Sequence, residues 1–301
     1  MKVFIVGGTG FVGVNLANRL CARGDEVTVM GHGAARPRGL DARVPLVFGD
    51  ATVPGVWQER IGGHGAVVNL AGASIFTRWT GAAKRAIRDS RILTTRNVVA
   101  ALAGGATATL VSTSAVGYYG FRGDEELGED APPGTDFLAR LCVDWEAEAL
   151  AARERGVRVA ITRFGIVLGP GGGVLGKMAP LFRSYLGGRL GSGGQWFSWV
   201  HVEDLFRALL HLLGRPESSG AYNLTAPEPV TNRVLTRELA RVLHRPALVP
   251  VPAPLARLVL GEFGNVVLEG QRVLPRRLLA EGFSFAHPDF AGALEDLAPA
   301  L

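Results

Sequence analysis

Three glycines near the start of the chain, Gly7, Gly10 and Gly13, have the spacing of a turn that binds phosphate. They follow an apolar run, residues 3–6, that suits a strand buried on both faces of a parallel sheet. Apolar residues then recur at helical spacing, and the N-terminus of such a helix attracts the pyrophosphate of a dinucleotide. The alternative is a turn whose glycines only tighten packing. The residues that we predict to contact the cofactor are Gly7, Thr9, Gly10, Phe11, Val12 and Gly13.

The end of the second predicted strand, residues 27–30, indicates which dinucleotide binds. Enzymes that use NAD place a carboxylate here to hold the ribose 2′-hydroxyl. This chain has Gly31, His32 and Gly33 instead, and Arg36 and Arg38 follow. No carboxylate repels a 2′-phosphate, so we predict NADP(H) with His32 as a contact. The alternative is that the arginines lie on a solvated loop.

The remaining elements predict an α/β protein with a Rossmann-type doubly wound parallel sheet and helices on both faces. We expect residues 1–165 to form the NADP-binding domain, with residues 196–224 returning to it. The rest, residues 166–195 and 225–301, is expected to form a smaller, partly interleaved C-terminal substrate or lid domain. The predicted strands are residues 2–6, 27–30, 44–48, 66–70, 109–112, 157–162, 197–202 and 222–224, and the longest predicted helices are residues 80–102 and 137–155.

The composition excludes several other classes of protein. The chain has 301 residues, of which 48% are hydrophobic and 20% charged, as in a soluble globular protein. Its net charge of +5 is not gathered into a block of like charges, so we predict no nucleic-acid partner. Cys21 and Cys142 each lie in a predicted helical stretch, with no CxxC motif and no cluster of His and Cys, so we predict neither a disulfide nor a metal site. We expect no membrane span and no signal peptide, and a cytoplasmic location.

Several phrases along the whole chain resemble one branch of the atypical extended short-chain dehydrogenase/reductases, the epimerase-like proteins with a C-terminal domain of unknown function. Members of this branch are similar to NADP(H)-binding proteins, mostly without an established substrate. The matching phrases are GGTGFVG at 7–13, VNLAG at 68–72, IRDSR at 87–91, SAVGYYG at 114–120, DWEAEA at 144–149, GIVLGPGGG at 165–173, GSGGQWFSWVHVEDL at 191–205, TAPEPVTN at 225–232 and LEGQRVLP at 268–275.

The resemblance implies further contacts to the cofactor and a mode of assembly. Asp50 stands where these proteins hold the adenine amino group, although it could simply cap a turn. Helices 80–102 and 137–155 resemble those that build a four-helix dimer contact, so we predict a homodimer. The further residues that fall in cofactor-contacting segments are Leu70, Ala71, Gly72, Arg91 and Val167.

The chain departs from the family at the catalytic pair. Active members use a Tyr and, four residues later, a Lys that lowers the pKa of the phenol. When Glu146 is aligned with the Glu that commonly follows this Lys, Leu138 stands in the Tyr position and Cys142 in the Lys position. Neither side chain can perform this acid–base chemistry.

The resemblance leaves Ser114, Tyr118 and Tyr119 as candidate catalytic residues. Ser114 matches the family serine that binds the substrate oxygen, and either phenol could protonate a developing alkoxide. Without a lysine, the phenol keeps a pKa near about 10 and is a poor base at pH 7, but it can act as an acid. The alternative is that the two tyrosines form an aromatic wall of the cleft.

The cleft itself is less defined by the sequence. Lys177 either binds an anionic substrate or is merely exposed, and His201 is expected to start a helix rather than to catalyse. The aromatic residues expected to line the cleft or the core are Trp196, Phe197 and Trp199.

The sequence thus predicts an NADP(H)-dependent oxidoreductase of the epimerase family that acts on an unidentified small molecule. A second reading is a non-enzymatic NADP(H) sensor that binds a protein partner. A third is a nucleotide-sugar epimerase or dehydratase, which normally requires the missing Tyr.

Overall fold

The computed structural model describes residues 1–33, 35–102 and 108–301. Its strands are β1 Lys2–Val6, β2 Glu26–Gly31, β3 Leu46–Phe48, β4 Ala66–Asn69, β5 Thr109–Ala115, β6 Glu126–Leu127, β7 Arg158–Phe164, β8 Ile166–Leu168, β9 Trp196–Phe197, β10 Trp199–His201, β11 Gly220–Leu224, β12 Val230–Thr231 and β13 Arg272–Val273. Seven of them form the central sheet in the order β11-β7-β5-β4-β1-β2-β3, with every neighbouring pair parallel.

Helices cover both faces of this sheet, which confirms the predicted doubly wound fold. They are α1 Phe11–Ala22, α2 Gly81–Ala101, α3 Phe137–Leu150, α4 Leu175–Arg183, α5 Val202–Gly214, α6 Asn232–Val242, α7 Ala253–Leu260, α8 Phe263–Leu268, α9 Arg276–Ala280 and α10 Phe290–Leu297. None of the helices in the described ranges is long and apolar enough to cross a membrane.

Side chains of β1 alternate between the two cores. Val3 and Ile5 belong to the cluster that α1 and α5 cover, whereas Phe4 and Val6 belong to the cluster on the other face, beneath α2 and α3. All four side chains are at most 1% exposed. Successive residues of a strand point to opposite faces, so a continuous apolar run is what a strand between two helical layers requires.

The C-terminal part of the chain has a core of its own, built around Trp199 and closed by α4, α6 and α10. The strand predicted near residues 197–202 is split into β9 and β10, and both pair outside the main sheet. Ser198 separates them because its hydroxyl donates to the Gln271 carbonyl and accepts from the Val273 N–H, at 2.6 and 3.0 Å. Of residues 196–224, only β11 joins the main sheet as a strand. The exact domain boundaries stay a prediction.

Candidate cofactor-binding and active site

The carboxyl ends of β1, β2, β4 and β5 meet at one edge of the sheet. The turn after β1 reverses at Gly7, whose φ is +73°. A Cβ on Gly7 would lie 2.7 Å from the Ala71 nitrogen, so the chain after β4 rests directly on this turn. This edge is where an open α/β sheet binds its ligand.

The next two glycines of the motif serve different purposes. A Cβ on Gly13 would lie 2.4 Å from the Gly8 Cα, so Gly13 allows α1 to pack against the turn. A Cβ on Gly10 would meet only the Gly7 oxygen, at 3.4 Å, and Gly10 is exposed. The first intrahelical bond runs from the Val14 N–H to the Gly10 oxygen at 3.0 Å, so the N–H groups of residues 11–13 face out of the helix end. Gly10 thus leaves an open approach for phosphate.

Phe11 is held by a second glycine-rich loop. A Cβ on Gly169 or on Gly172 would lie 2.8 or 2.9 Å from its ring. Phe11 is half-buried and packs against the core cluster that α1 and α5 cover. Three other residues predicted to contact the cofactor pack against the same cluster: Val12, Leu70 and Val167.

The end of β2 has no room for the carboxylate of an NAD enzyme. A Cβ on Gly31 would lie 2.2 Å from the Thr9 side chain, which therefore fills this place. His32 follows and is exposed. Asp50 lies near it: hydrogen bonds from the Thr52 hydroxyl and N–H lower the pKa of Asp50, and His32 adds a smaller charge effect.

Arg36 is not free to bind a phosphate at the strand-end edge of the sheet. Its guanidinium donates to the carbonyl oxygens of Asp41 and Val44, at 2.9 and 3.0 Å, and so holds its own loop. The argument for a 2′-phosphate therefore rests on His32, on the exposed Arg38, and on the missing carboxylate at Gly31.

Arg91 reaches from α2 to the end of β4. A Cβ on Gly72 would lie 3.0 Å from its Cζ, and the guanidinium lies 5.2 Å from the centroid of the Trp145 ring. One N–H donates to the Ile87 oxygen at 2.9 Å, and no carboxylate within the described ranges pairs with it. Burial lowers the pKa of Arg91 because it disfavours the charged form. An anion beside Gly72 would compensate this charge.

Ser114 belongs to a buried polar network. Its hydroxyl donates to Glu146 at 2.6 Å, and Arg163 binds both oxygens of Glu146 at 2.8 Å. Burial opposes the charge of Arg163, but the hydrogen bonds and charge of Glu146 outweigh it and raise the pKa of the guanidinium. The only proton of the Ser114 hydroxyl is engaged, so Ser114 can accept a hydrogen bond from a ligand but cannot donate one in this arrangement.

Tyr119 closes the same network and has no exposed surface. Its hydroxyl donates to Asn223 at 2.7 Å and accepts from Arg163 at 2.9 Å. Burial raises the pKa of Tyr119 to about 12 despite the nearby Arg163. Tyr118 is half-buried, with the guanidinium of Arg163 3.5 Å from its ring centroid. These contacts favour structural roles, and catalysis by either phenol stays a prediction that they do not support.

Leu138 and Cys142 both face the end of β5. A Cβ on Gly117 would lie 3.2 Å from the Leu138 Cβ, and the Cys142 thiol lies 3.8 Å from the Ala115 oxygen. Burial, with the charge of Glu146 as a smaller cause, raises the pKa of Cys142 to about 12. The thiol is therefore protonated at neutral pH and cannot replace a lysine.

Aromatic side chains crowd the region next to Leu138. The Trp79 ring lies 5.1 Å from that of Phe137 and 5.7 Å from that of Phe263, which in turn contacts Phe76. Lys177 is exposed, 5.6 Å from the Phe76 ring centroid. These distances leave both predicted roles of Lys177 open, anion binding and simple exposure.

His201 starts α5, as the sequence predicts. Its Nδ1 accepts from the Glu203 N–H at 3.2 Å. His287 and Asp296 bring further donor atoms within 4.8 Å. Burial and the neighbouring His287 lower the pKa of His201, which favours the neutral ring. Its Nε2 lies 3.3 Å from Asp296, and a metal bound there would require Nδ1 to carry the proton and give up the cap of α5. We therefore assign no metal to this cluster.

Sequence reasoning missed the partners of Ser114 and Tyr119. Arg163 is a charged residue near the end of a strand whose centre is apolar, and Glu146 lies one helical turn after Cys142. A cation buried within such a strand requires a buried anion. The sequence therefore indicates that Arg163 has a buried anionic partner, but it does not identify Glu146 as that partner.

The turn and the strand-end edge define a Rossmann-type α/β protein with a phosphate-binding turn. The profile of the NAD dependent epimerase/dehydratase family matches residues 3–225, and a domain of unknown function, DUF1731, matches residues 251–297. The chain belongs to the NAD-dependent epimerase/dehydratase family. This confirms the resemblance that its motifs carry.

Several relatives match the chain over most of its length. A chloroplastic homologue of epimerase family protein SDR39U1 from Arabidopsis thaliana is 40% identical over 98% of this chain and 86% of its own. Epimerase family protein Mb2239 of Mycobacterium bovis is 46% identical over 76% of this chain and 77% of its own. The crystal structure of human epimerase family protein SDR39U1 (isoform 2) with NADPH has a TM-score of 0.88, is 33% identical and covers 100% of both chains.

Proposed function

We propose that the protein is an NADP(H)-binding oxidoreductase of the epimerase family that works without the Tyr–Lys pair. One observation carries the proposal: the open approach at Gly10 lies at the same sheet edge as Arg91, a cation with no carboxylate partner in the described part of the chain. The human relative that was crystallised with NADPH supports the choice of cofactor.

The residues at the end of β2 favour binding of NADP(H) over NAD(H). A carboxylate at position 31 would displace Thr9, and the exposed side chains nearby are His32 and Arg38. A 2′-phosphate would meet the Arg38 guanidinium and the His32 ring here and no repelling acid at position 31. The adenosine half would lie toward Asp50, and the nicotinamide half toward Leu70, Ala71 and Gly72.

Bound NADPH would supply a hydride to a substrate carbon next to Ser114. Because Ser114 donates its own proton to Glu146, it can orient a substrate by accepting a hydrogen bond from one of the substrate's hydroxyl groups. With Leu138 and Cys142 in the catalytic positions, the protein has no general acid of the usual kind. Such groups contribute about 10²–10⁴-fold to a rate. The chemistry is therefore slow, or protons come from the substrate or solvent.

Turnover assays test this proposal. We expect little or no turnover of nucleotide sugars or simple ketones with NADPH, measured by nicotinamide absorbance. Leu138→Tyr with Cys142→Lys should raise the rate about 10²-fold or more, since it restores the acid and the cation that tunes it. The control, Leu138→Phe with Cys142→Met, has similar bulk without a proton to transfer and should not. Rapid turnover of a nucleotide sugar by the unaltered protein would refute the proposal.

A non-enzymatic NADP(H) sensor is the second candidate. It is favoured by the buried position of Tyr119, whose phenol has no exposed surface. NADPH that carries deuterium at the transferred position separates the two: an enzyme moves the label to a small molecule from a cell extract, whereas a sensor leaves it on the cofactor. A homodimer through α2 and α3, and a cytoplasmic location, stay predictions.

A further inference from the structure

One region of the surface exposes large apolar side chains from two segments that lie side by side. Residues 187–191 run next to residues 249–251: the Val249 N–H donates to the Gly187 oxygen at 3.2 Å, and the Val251 N–H donates to the Arg189 oxygen at 2.9 Å. α4 precedes the first segment, and α7 follows the second. We call this region the α4–α7 patch, and its exposed apolar side chains are Leu181, Leu186, Leu248, Leu255, Leu258 and Val259.

The side chains of this patch protrude from the surface. On α7, Leu255, Leu258 and Val259 lie three and four residues apart, so they share one side of the helix. Leu258 and Leu248 are 75% and 76% exposed, whereas the walls of a groove that receives a partner helix are partly covered by their neighbours. Exposed apolar patches mark interaction sites, and this one suits a partner into which side chains can insert.

The segments that build the patch carry positive charge only. Residues 155–202 and 239–261 contain no aspartate or glutamate. Within them, Arg183 and Arg189 are exposed, and no carboxylate in the described part of the chain pairs with either guanidinium. A partner that covers this patch must therefore supply negative charge as well as an apolar phase.

The acids that follow α7 do not cancel this charge. Glu262 pairs with a lysine of α2, and Glu269 lies 3.8 Å from Arg257. A further cation borders the patch, because the Arg245 guanidinium lies 5.3 Å from the centroid of the Tyr185 ring. The surroundings of the exposed leucines thus stay basic.

Two kinds of partner combine apolar contact with negative charge, an acidic amphipathic helix and an anionic lipid surface. A helix requires a groove, which protruding leucines do not form. A lipid surface accepts protruding leucines among its acyl chains, while its phosphates attract arginines. α7 has eight residues and is about 12 Å long, much shorter than the hydrocarbon core of a bilayer, so it would lie along the surface.

We propose that the α4–α7 patch binds the surface of membranes that contain anionic phospholipids. The leucines of α7 insert at the level of the head groups, and Arg183 and Arg189 bind lipid phosphates. Each arginine near an anionic surface strengthens binding about fivefold, and salt screens this attraction. The binding is therefore reversible and requires both parts of the patch. It needs neither NADP(H) nor turnover, so its test is independent of the proposed function.

Vesicle flotation of the full-length protein tests the proposal. One set of vesicles contains phosphatidylcholine alone, and the other an equimolar mixture of phosphatidylcholine and phosphatidylglycerol. We expect the protein to float with the mixed vesicles at low ionic strength, to remain behind with phosphatidylcholine alone, and to be released from the mixed vesicles by added salt.

Two double variants separate the apolar from the basic contribution. Leu258→Gln with Val259→Gln keeps good helix formers on an exposed face and should weaken binding to the mixed vesicles about tenfold or more. The matched control, Val53→Gln with Val56→Gln, changes exposed residues in the loop after β3 and should bind normally.

Arg183→Gln with Arg189→Gln should weaken binding to the mixed vesicles about thirtyfold, since each arginine contributes about fivefold. Arg60→Gln with Arg153→Gln removes the same charge from exposed positions outside the patch and should have a much smaller effect. Circular dichroism verifies that all four variants are folded.

Three results would overturn the proposal: no flotation with the mixed vesicles, equal flotation with phosphatidylcholine alone, or equal effects of the patch variants and their controls. A synthetic amphipathic helix of leucine and glutamate provides the remaining comparison. If this peptide binds and the mixed vesicles do not, the patch is a site for a protein partner and the proposal is wrong.

Discussion

Gly10→Leu is expected to abolish NADP(H) binding while the protein stays folded. The φ of Gly10 is −79°, which any residue adopts, and a Cβ there meets only the Gly7 oxygen at 3.4 Å. The larger side chain would occupy the approach of the pyrophosphate to the N–H groups of α1. We expect the affinity for NADPH to fall about 100-fold or more, equivalent to at least about 2.7 kcal/mol, in a calorimetric titration.

Two other glycines control this experiment. Gly214→Leu places the same side chain in open space and should leave NADPH affinity unchanged. Gly13→Ala should instead destabilise the protein, because its Cβ would lie 2.4 Å from the Gly8 Cα. A folded Gly10→Leu protein that binds NADPH with full affinity would show that the phosphate lies elsewhere.

Arg163→Met is expected to destabilise the protein by about 3–5 kcal/mol, because it leaves Glu146 buried without its cation. Arg163 and Glu146 are 4% and 7% exposed, and their two hydrogen bonds are both 2.8 Å long. Tyr119 would also lose the hydrogen bond from Arg163, and Ser114 would be bonded to a carboxylate without its cation. Denaturant unfolding monitored by circular dichroism measures this loss.

The matched control is an exposed ion pair whose carboxylate lies on α3, the helix that also carries Glu146. Arg88 pairs with Asp144 of α3 at 3.2 Å, and both side chains are about half exposed. Such pairs contribute about 0–1 kcal/mol, so Arg88→Met should have little effect. Arg163→Met with Glu146→Leu should recover part of the loss, since no charge is then left unpaired. Equal losses of unfolding free energy from Arg163→Met and Arg88→Met would contradict the stabilising role assigned to the buried network.

The fold could be predicted from the sequence because its signals are local. The run before Gly7 is apolar at every position, which requires a strand covered on both faces, and the structure buries Val3 and Phe4 in two different cores. The positions of Gly10 and Gly13 likewise reflect contacts within a few residues, with the Gly7 oxygen and the Gly8 Cα. The split of the strand near Ser198 was missed because it depends on Gln271, far along the chain.

The candidate site was less predictable because its contacts connect distant residues. The Tyr119 hydroxyl binds Asn223, and no local pattern joins these positions. The resemblance makes Tyr119 a catalytic candidate, yet its hydroxyl is engaged by Asn223 and Arg163 and the residue has no exposed surface. Arg36 similarly looked available to a phosphate, but its guanidinium binds the carbonyl of Val44.

The comparison of NADPH with NADH tests the central claim most directly. Both cofactors are titrated into the unaltered protein by calorimetry at low ionic strength, with Gly10→Leu as the control that should release no binding heat. With Gly31 and His32 in place of an acid, we expect NADPH to bind about tenfold more tightly or better, a difference of at least about 1.4 kcal/mol. Equal affinities, tighter binding of NADH, or no binding of either cofactor would contradict the account.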